Sequence, residues 1–275
     1  PSLVGSEMCI RDRKMNETLA IDTAPQRAAT SQAMLEIRDL HAWYGESHIL
    51  HGIDLDVRAG ECVTLLGRNG AGRSSTLKSV LGLVGRRSGS IKVMGQETIA
   101  LPPHKIARKG IGYCPEERGI YASLTAEENL MLLPSVGPGG MSIDEIYAMF
   151  PNLKERAHSP GTRLSGGEQQ MLAMARILRT GARLLLLDEI TEGLAPVIVQ
   201  ALGRVIRQLK ERGYTTVLVE QNFRFAQHLA DRHYVIEHGQ VAAVIDRAEV
   251  QQSQDRLNAL LGICCLLYTS PSPRD

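Results

Sequence analysis

The stretch Gly67 to Ser75, GRNGAGRSS, constrains this chain more than any other feature. It follows a short apolar run, Cys62 to Leu66, and precedes SSTLKSVLGLVG, in which Leu77, Val80, Leu81 and Val84 recur at helical spacing. A short apolar run bounded by turn residues reads as a buried strand, and the spacing after it predicts a helix that Gly85 can close. Strand, glycine loop and helix together are the setting in which backbone amides wrap a phosphate. Gly70 and Gly72 let the backbone curl, the amides from Asn69 to Ser74 would point inward, and the helix adds its positive end. The usual loop of this kind ends in Gly-Lys-Ser/Thr. Here Arg73 stands in the lysine position, followed by Ser74, whose hydroxyl suits Mg²⁺.

The ends of the chain read differently from the rest. LVGSEMCIRDR, from Leu3, and CLLYTSPSPRD, from Cys265, can be encoded on opposite strands of a single DNA string. We therefore read residues 1–13 and 265–275 as translated sequencing adapter and leave them out of fold reasoning. Met15 is then the expected start. Residues 14–33 are expected to be a mobile leader, because Asn16 to Gln32 is polar and Ala/Thr-rich. Residues 34–264 form the expected domain, of a length that can bury a sizeable core.

The formal net charge of +1 gives no electrostatic case for nucleic acid or an anionic membrane as partner. Cys62, Cys114 and Cys264 show neither metal-type nor paired spacing and suit a reducing compartment. No run of about eighteen apolar residues is present, so no spanning helix is expected.

MLEIRDLHAWYG, from Met34, alternates apolar and polar residues as a half-exposed strand does. ILHGIDLDVRAGECVTLLG reads as two strands with a turn at Ala59-Gly60. From Glu117 to Ser165 the pattern is helical with breaks. Thr125 and Glu128 form a capping-box pair, and Pro151 is expected to stop the helix of SIDEIYAMF. SGGEQQMLAMARILRTG places Met171, Met174, Ala175 and Leu178 on one helical face. RLLLLDE and TTVLVEQN read as buried strands separated by the amphipathic helix VIVQALGRVIRQLKERG, and DRHYVIEHGQVAAVI ends as strand, glycine turn and strand. Buried strands alternating with helices indicate a doubly wound, mainly parallel α/β sheet.

Two further motifs carry chemistry. LLLLDE brings Asp188 and Glu189 to the end of a buried strand, where one carboxylate can hold Mg²⁺ and the other can orient or deprotonate water. LSGGEQQ, Leu164 to Gln170, opens a long helix at Ser165, Gly166 and Gly167 and makes a second anion-binding helix start. One nucleotide site does not need two such starts, whereas a dimer does if each protomer offers this element to the nucleotide held by the other.

GRNGAGRSS, LSGGEQQ and LLLLDE in this order resemble the ATP-binding-cassette (ABC) ATPase family, over about Met34 to Gly262. YCPEERGIYASLTAEENL, LSGGEQQMLAMAR, EGLAP and LVEQN look like the ATPase subunits of branched-chain amino acid importers. The resemblance implies a P-loop (RecA-like) core with an antiparallel β subdomain and a small helical subdomain, about residues 117–176, carrying the LSGGEQQ signature. It implies ATP and Mg²⁺ as ligands. Tyr44 would stack on adenine, with Trp43 as the alternative. Gly67 and the loop from Asn69 through Gly70, Ala71, Gly72, Arg73, Ser74 and Ser75 would hold the phosphates. Ser74, Asp188 and Glu116 would serve the metal, Glu116 standing at a position usually held by glutamine that senses Mg²⁺ and the membrane partner. Ser165, Gly166, Gly167 and Glu168 would complete the site of the other protomer, and Glu192, Gly193 and Leu194 would cross the dimer interface. Glu189 and Arg73 would be catalytic, with Gln221 at a switch position where histidine is commoner in the wider family.

The implied partners are a second ATPase subunit, identical or a sister chain, two membrane permease subunits and, indirectly, a periplasmic binding protein, which places the chain on the inner face of the cell membrane. Ile190 departs from the family's frequent proline, and Gln221 cannot titrate. Arg73 keeps the charge and can grip two phosphate oxygens, yet its planar head is larger than an ammonium. The expectation is a hydrolysing energising subunit. The alternatives are an ATP-gated dimerising subunit with little turnover because of Arg73, and a soluble ABC ATPase outside transport.

Overall fold

A computed structural model describes residues 33–262. The adapter-like ends, Cys264 and residues 14–32 of the expected leader lie outside the described residues. Strands β1 (Ala33–Tyr44) and β2 (Ser47–Arg58) form an antiparallel hairpin, followed by β3 (Cys62–Leu66) and, past the glycine loop, α1 (Arg73–Val80). Next come β4 (Arg86–Val93), β5 (Gln96–Glu97), α2 (Pro103–Ala107) and β6 (Ile111–Cys114). A helical stretch holds α3 (Ala126–Leu132), α4 (Ile143–Met149), α5 (Pro151–Glu155) and α6 (Gly166–Arg179). The chain then runs through β7 (Leu184–Asp188), α7 (Pro196–Glu211), β8 (Thr215–Val219), α8 (Phe223–Ala226), β9 (Arg232–Glu237), β10 (Gln240–Asp246) and α9 (Gln254–Leu261).

β2 and β3 are consecutive in sequence but belong to different sheets. An antiparallel sheet has the order β2-β1-β4-β5, and a second sheet has the order β10-β9-β3-β8-β7-β6. In the second sheet β9, β3, β8, β7 and β6 are parallel and only β10 is antiparallel. The burial pattern accounts for the division. β3, β7 and β8 are buried at every residue, as strands covered on both faces must be. β7 shares its side chains between two cores: Leu184 and Leu186 join the one under the antiparallel sheet, Leu185 and Leu187 the one under the helices. β1 alternates buried and exposed residues, with a bulge between Ile37 and Leu40 that keeps Leu40 and Ala42 inward.

Local chemistry sets the helix ends. α1 closes at Gly82 and not at Gly85: Gly82 takes φ 75, its amide donates to Ser79 O, and the Leu83 amide donates to Lys78 O. That is the left-handed helix stop glycine favours, and it arrives one turn earlier than the apolar spacing implies. Thr125 and Glu128 make the expected capping box, and Ser142 with Glu145 make another. Pro151 ends α4 but also opens α5, where a missing amide costs nothing. α6 is buried on most of its surface, with Met171, Leu172, Met174 and Leu178 in one core. Cys62 and Cys114 are buried free thiols. Among the described residues no helix is long and apolar enough to cross a membrane.

Candidate functional site

Register brings the three motif ends together. Leu65 of β3 and Asp188 of β7 both pair with Val219 of β8. The glycine loop, Asp188–Glu189 and Glu220–Gln221 therefore leave the sheet at one edge, outside the carboxyl ends of parallel strands, where α/β sheets bind ligands. A cavity of about 430 Å³ opens there. Tyr44, Ile49, Asn69, Gly70, Gly72, Arg73, Ser74, Ser75, Glu116, Glu189, Glu192 and Gln221 line it.

The loop conformation depends on glycine at two positions. Gly67 has φ 151, and a Cβ there would lie 2.3 Å from the Ile236 carbonyl oxygen; Gly72 has φ 109, and a Cβ there would lie 2.7 Å from Leu50 Cδ2. Gly72 is also the N-cap of α1 and brings no side chain to occupy the first-turn amides. Ala71 is buried and its carbonyl accepts from the Gly239 amide, which ties the loop to the turn between β9 and β10.

The Arg73 side chain is 4% exposed and forms an ion pair with Glu189, itself 10% exposed, Nη2 to Oε1 2.7 Å. Nη2 also donates to Asn69 Oδ1 at 3.2 Å, and the buried Nη1 has no hydrogen-bond partner. Gln221 Nε2 donates to the other Glu189 oxygen at 3.0 Å, so Glu189 is held from both sides. Glu189 has φ 46, a left-handed conformation unusual for glutamate, and its amide donates to Val219 O at 2.9 Å. Ser74 Oγ donates to Asp188 Oδ1 at 2.8 Å and the Tyr113 hydroxyl donates to Asp188 Oδ2 at 3.2 Å. Burial pushes the Asp188 carboxyl above its usual range, against the pull of those two hydrogen bonds. Burial and the Asp188 charge push the Tyr113 phenol up in turn.

Carboxylate oxygens of Glu116, Glu189 and Glu192 all lie within 4.8 Å of one another. Hydrogen bonding and charge from Glu189 raise the Glu192 carboxyl. Glu220 is buried and accepts from the Thr191 amide and from Thr191 Oγ1, at 3.2 and 2.8 Å. It thereby ties the end of β8 to the loop after β7. Burial lifts its carboxyl to about 7. Ile190 is 1% exposed in the helical core, which gives the residue in place of proline a packing role.

Of the two aromatic candidates, Tyr44 lines the cavity, whereas Trp43 stacks on His48 at 4.4 Å and does not line it. Ser165, Gly166, Gly167 and Glu168 do not line it either. Ser165 caps α6 in a reciprocal box with Glu168, and Gly167 lets α6 approach Ile198 of α7, where a Cβ would come within 2.9 Å. The sequence does not single out Tyr113 or Glu220, and Glu192, expected in the loop across the dimer interface, lines the cavity as well. A polar residue ending a run of buried ones is the signal that points to Glu220, whereas for Tyr113 there is none.

The family model for ABC transporters matches residues 50–192. The high-affinity branched-chain amino acid transport ATP-binding protein BraG of Pseudomonas aeruginosa is 43% identical over 211 residues, 76% of this chain and 91% of that protein. A probable branched-chain amino acid transport ATP-binding protein, LivF of Archaeoglobus fulgidus, is 37% identical over 76% of this chain and 90% of its own length. The lipopolysaccharide export system ATP-binding protein LptB of Escherichia coli is 31% identical over 84% of this chain and 98% of its own. Among solved structures, an ATP-binding subunit of an ABC transporter superposes with a TM-score of 0.70 at 28% identity, covering 83% of this chain and 99% of that one. A dimeric ATP-binding cassette in a post-hydrolysis state with ADP and Pi superposes with a TM-score of 0.68 at 24% identity, covering 78% and 99%, and shares the fold.

Proposed function

Because the chain belongs to the ABC transporter family and is one of its ATPases, we propose that it energises a membrane importer of branched-chain amino acids or related small amides and organic acids. The observation that carries this reading is the convergence of Arg73, Ser74, Glu189 and Gln221 on one cavity, with Asp188 bonded behind Ser74. The substrate class rests on the two branched-chain amino acid transport relatives, which are more similar to this chain than the export protein is, and the import direction rests on the resemblance of the motifs to importer ATPases.

ATP phosphates lie against the loop amides from Gly70 to Ser75, at the positive end of α1. Arg73, drawn off Glu189, turns its fork onto phosphate oxygens. Tyr44 covers the adenine. The oxygen donors Ser74 Oγ and Asp188 Oδ1, side by side behind the loop, suit Mg²⁺, which takes oxygen ligands, and would hold it. When bound, that ion neutralises charge on the β- and γ-phosphates. Glu189, released from Arg73, takes a proton from the attacking water, and Gln221 holds Glu189 and the γ-phosphate in register. Glu116 joins Glu189 and Glu192 at the open side of the cavity, where it senses the loaded state.

Ser165 to Glu168 complete the site of a second ATPase subunit, identical or a sister chain, since they stand outside the cavity of their own chain. The pair of subunits closes on ATP and pulls on two permease subunits at the inner face of the membrane, served by a periplasmic binding protein. Nucleic acid is not a partner in this reading. Residues 34–264 act as one nucleotide-binding domain, with the helices about 117–176 as its signature-bearing part.

The Arg73–Glu189 ion pair favours a second reading, an ATP-gated dimerising subunit with little turnover. MgATP hydrolysis by the full chain with its sister subunit, beside Arg73→Lys and Glu189→Gln, decides between them. The motor reading expects turnover that Glu189→Gln abolishes and Arg73→Lys raises. Binding without turnover, restored by Arg73→Lys, establishes the gated subunit. Turnover untouched by Glu189→Gln removes both.

A further inference from the structure

The antiparallel sheet carries a side-chain cluster that the nucleotide site does not use. On its outer face His41 and Trp43 of β1 lie across from His51 and His48 of β2, paired in register as His41–His51 and Trp43–His48. Their inward neighbours Leu40, Ala42 and Leu50 are fully buried. His41 Nδ1 and His48 Nε2 are 3.1 Å apart. The other nitrogen of His41, Nε2, lies 3.0 Å from Asp39 Oδ1. An ionised aspartate only accepts, so it keeps the His41 proton on Nε2 and leaves Nδ1 to accept from His48 Nε2–H, whose proton shifts to the other ring nitrogen of His48 when a metal ion takes its place.

The backbone is shaped around this pair. The bulge in β1 puts Asp39 at φ 47, one of the few left-handed positions that aspartate tolerates. Bulges re-aim side chains, and this one directs the Asp39 carboxylate at His41. Gly52 and Gly89 make the room. A Cβ at Gly52 would lie 3.1 Å from Asp39 Oδ1, and one at Gly89 would lie 2.2 Å from the Asp39 carbonyl oxygen. Trp43 stacks on His48 with an interplanar angle of 11° and fixes that ring.

We propose that His41 Nδ1 and His48 Nε2 chelate a divalent late first-row transition ion, with Asp39 positioning His41. Two nitrogens bound to one tetrahedral zinc ion at about 2.0–2.1 Å stand about 3.3 Å apart, close to the separation found here. An imidazole set selects zinc, nickel or copper over magnesium, which takes oxygen, so this site is chemically separate from the nucleotide site. A carboxylate on the far nitrogen is the usual outer support of a metal-bound histidine. The ion would staple β1 to β2 beside the turn that follows Tyr44, next to the cavity residue Ile49.

Zinc titration of the full, nucleotide-free chain by calorimetry tests this, with Co²⁺ absorption as an independent readout of coordination. The expected result is one ion per chain, lost in His41→Gln and in His48→Gln and weakened about ten- to a hundredfold in Asp39→Asn. His158→Gln, at a histidine whose side chain is 91% exposed, keeps it. Histidine ring nitrogen shifts in the unmutated chain cover the case in which a variant fails to fold. No stoichiometric zinc binding overturns the proposal, as does a zinc site that survives both His→Gln changes. Ring shifts that follow pH but not zinc overturn it too, and identify a proton shared between two imidazoles.

Discussion

Replacing Glu189 by Gln tests the Arg73–Glu189 pair in the absence of any chemistry. The pair is 2.7 Å long between side chains 4% and 10% exposed, so water screens it little. ATP must take Arg73 away from Glu189 before the guanidinium can meet a phosphate, and the pair therefore opposes nucleotide binding. A charge-assisted hydrogen bond contributes about 1.5–3 kcal/mol net and a neutral one about 0.5–1.5. Arg73 stays ionised, so Glu189→Gln moves the bond to the weak end of the charge-assisted range and lowers the cost of breaking it by about 1–1.5 kcal/mol, which is about five- to tenfold in ATP affinity. The same change destabilises the nucleotide-free chain by a similar amount, because Arg73 stays buried with charge-neutral partners only, Asn69 and the new amide at 189. ATP affinity without Mg²⁺, by fluorescence titration, and urea unfolding of the free chain measure the two effects. Removing the Glu189 charge also lessens repulsion of the γ-phosphate, so the cycle is repeated in Arg73→Ala. If the pair is responsible, Glu189→Gln gains much less there. Equal gains in both backgrounds, or unchanged stability of the free chain, would refute the reasoning.

Glu220, raised to about 7 by burial, binds its proton more tightly folded than unfolded. Its contribution to stability is fully present below about pH 4.3 and is lost as pH rises to about 7. Glu220→Gln should flatten the fall in unfolding free energy between pH 5 and 8 and add about 2–4 kcal/mol at pH 8; parallel curves for the two proteins would count against the assignment. Gly67→Ala places a Cβ 2.3 Å from the Ile236 carbonyl oxygen and should cost about 1–3 kcal/mol and abolish ATP binding. Gly70→Ala meets no protein atom within 4 Å, so urea unfolding of the nucleotide-free chain should show only a small loss, about 1 kcal/mol, from its positive φ.

The family and its main motifs are legible in the sequence because their signals are local. A strand running into a glycine loop, a capping box four residues long and two carboxylates ending an apolar strand each lie within one short window. Where competing local signals overlap, the reading slips. Gly82 and Gly85 both punctuate the helix after the loop, and left-handed geometry at Gly82 decides it. Pro151 reads as a stop, yet a proline also opens a helix.

What the tertiary structure alone decides depends on residues far apart in the chain. Trp43 and Tyr44 are adjacent, and only the packing of His48 against Trp43 leaves Tyr44 to the cavity. Arg73 as a departure from lysine is visible in the sequence, but its partner Glu189 is 116 residues away and meets it only because β3, β8 and β7 share a register. The bonds of Glu220 to Thr191 and of Asp188 to Tyr113 arise in the same way. Composition and spacing set which groups the chain possesses. Which charge faces which is set by strand order, and strand order comes from burying the apolar faces of two sheets and a helical layer at once.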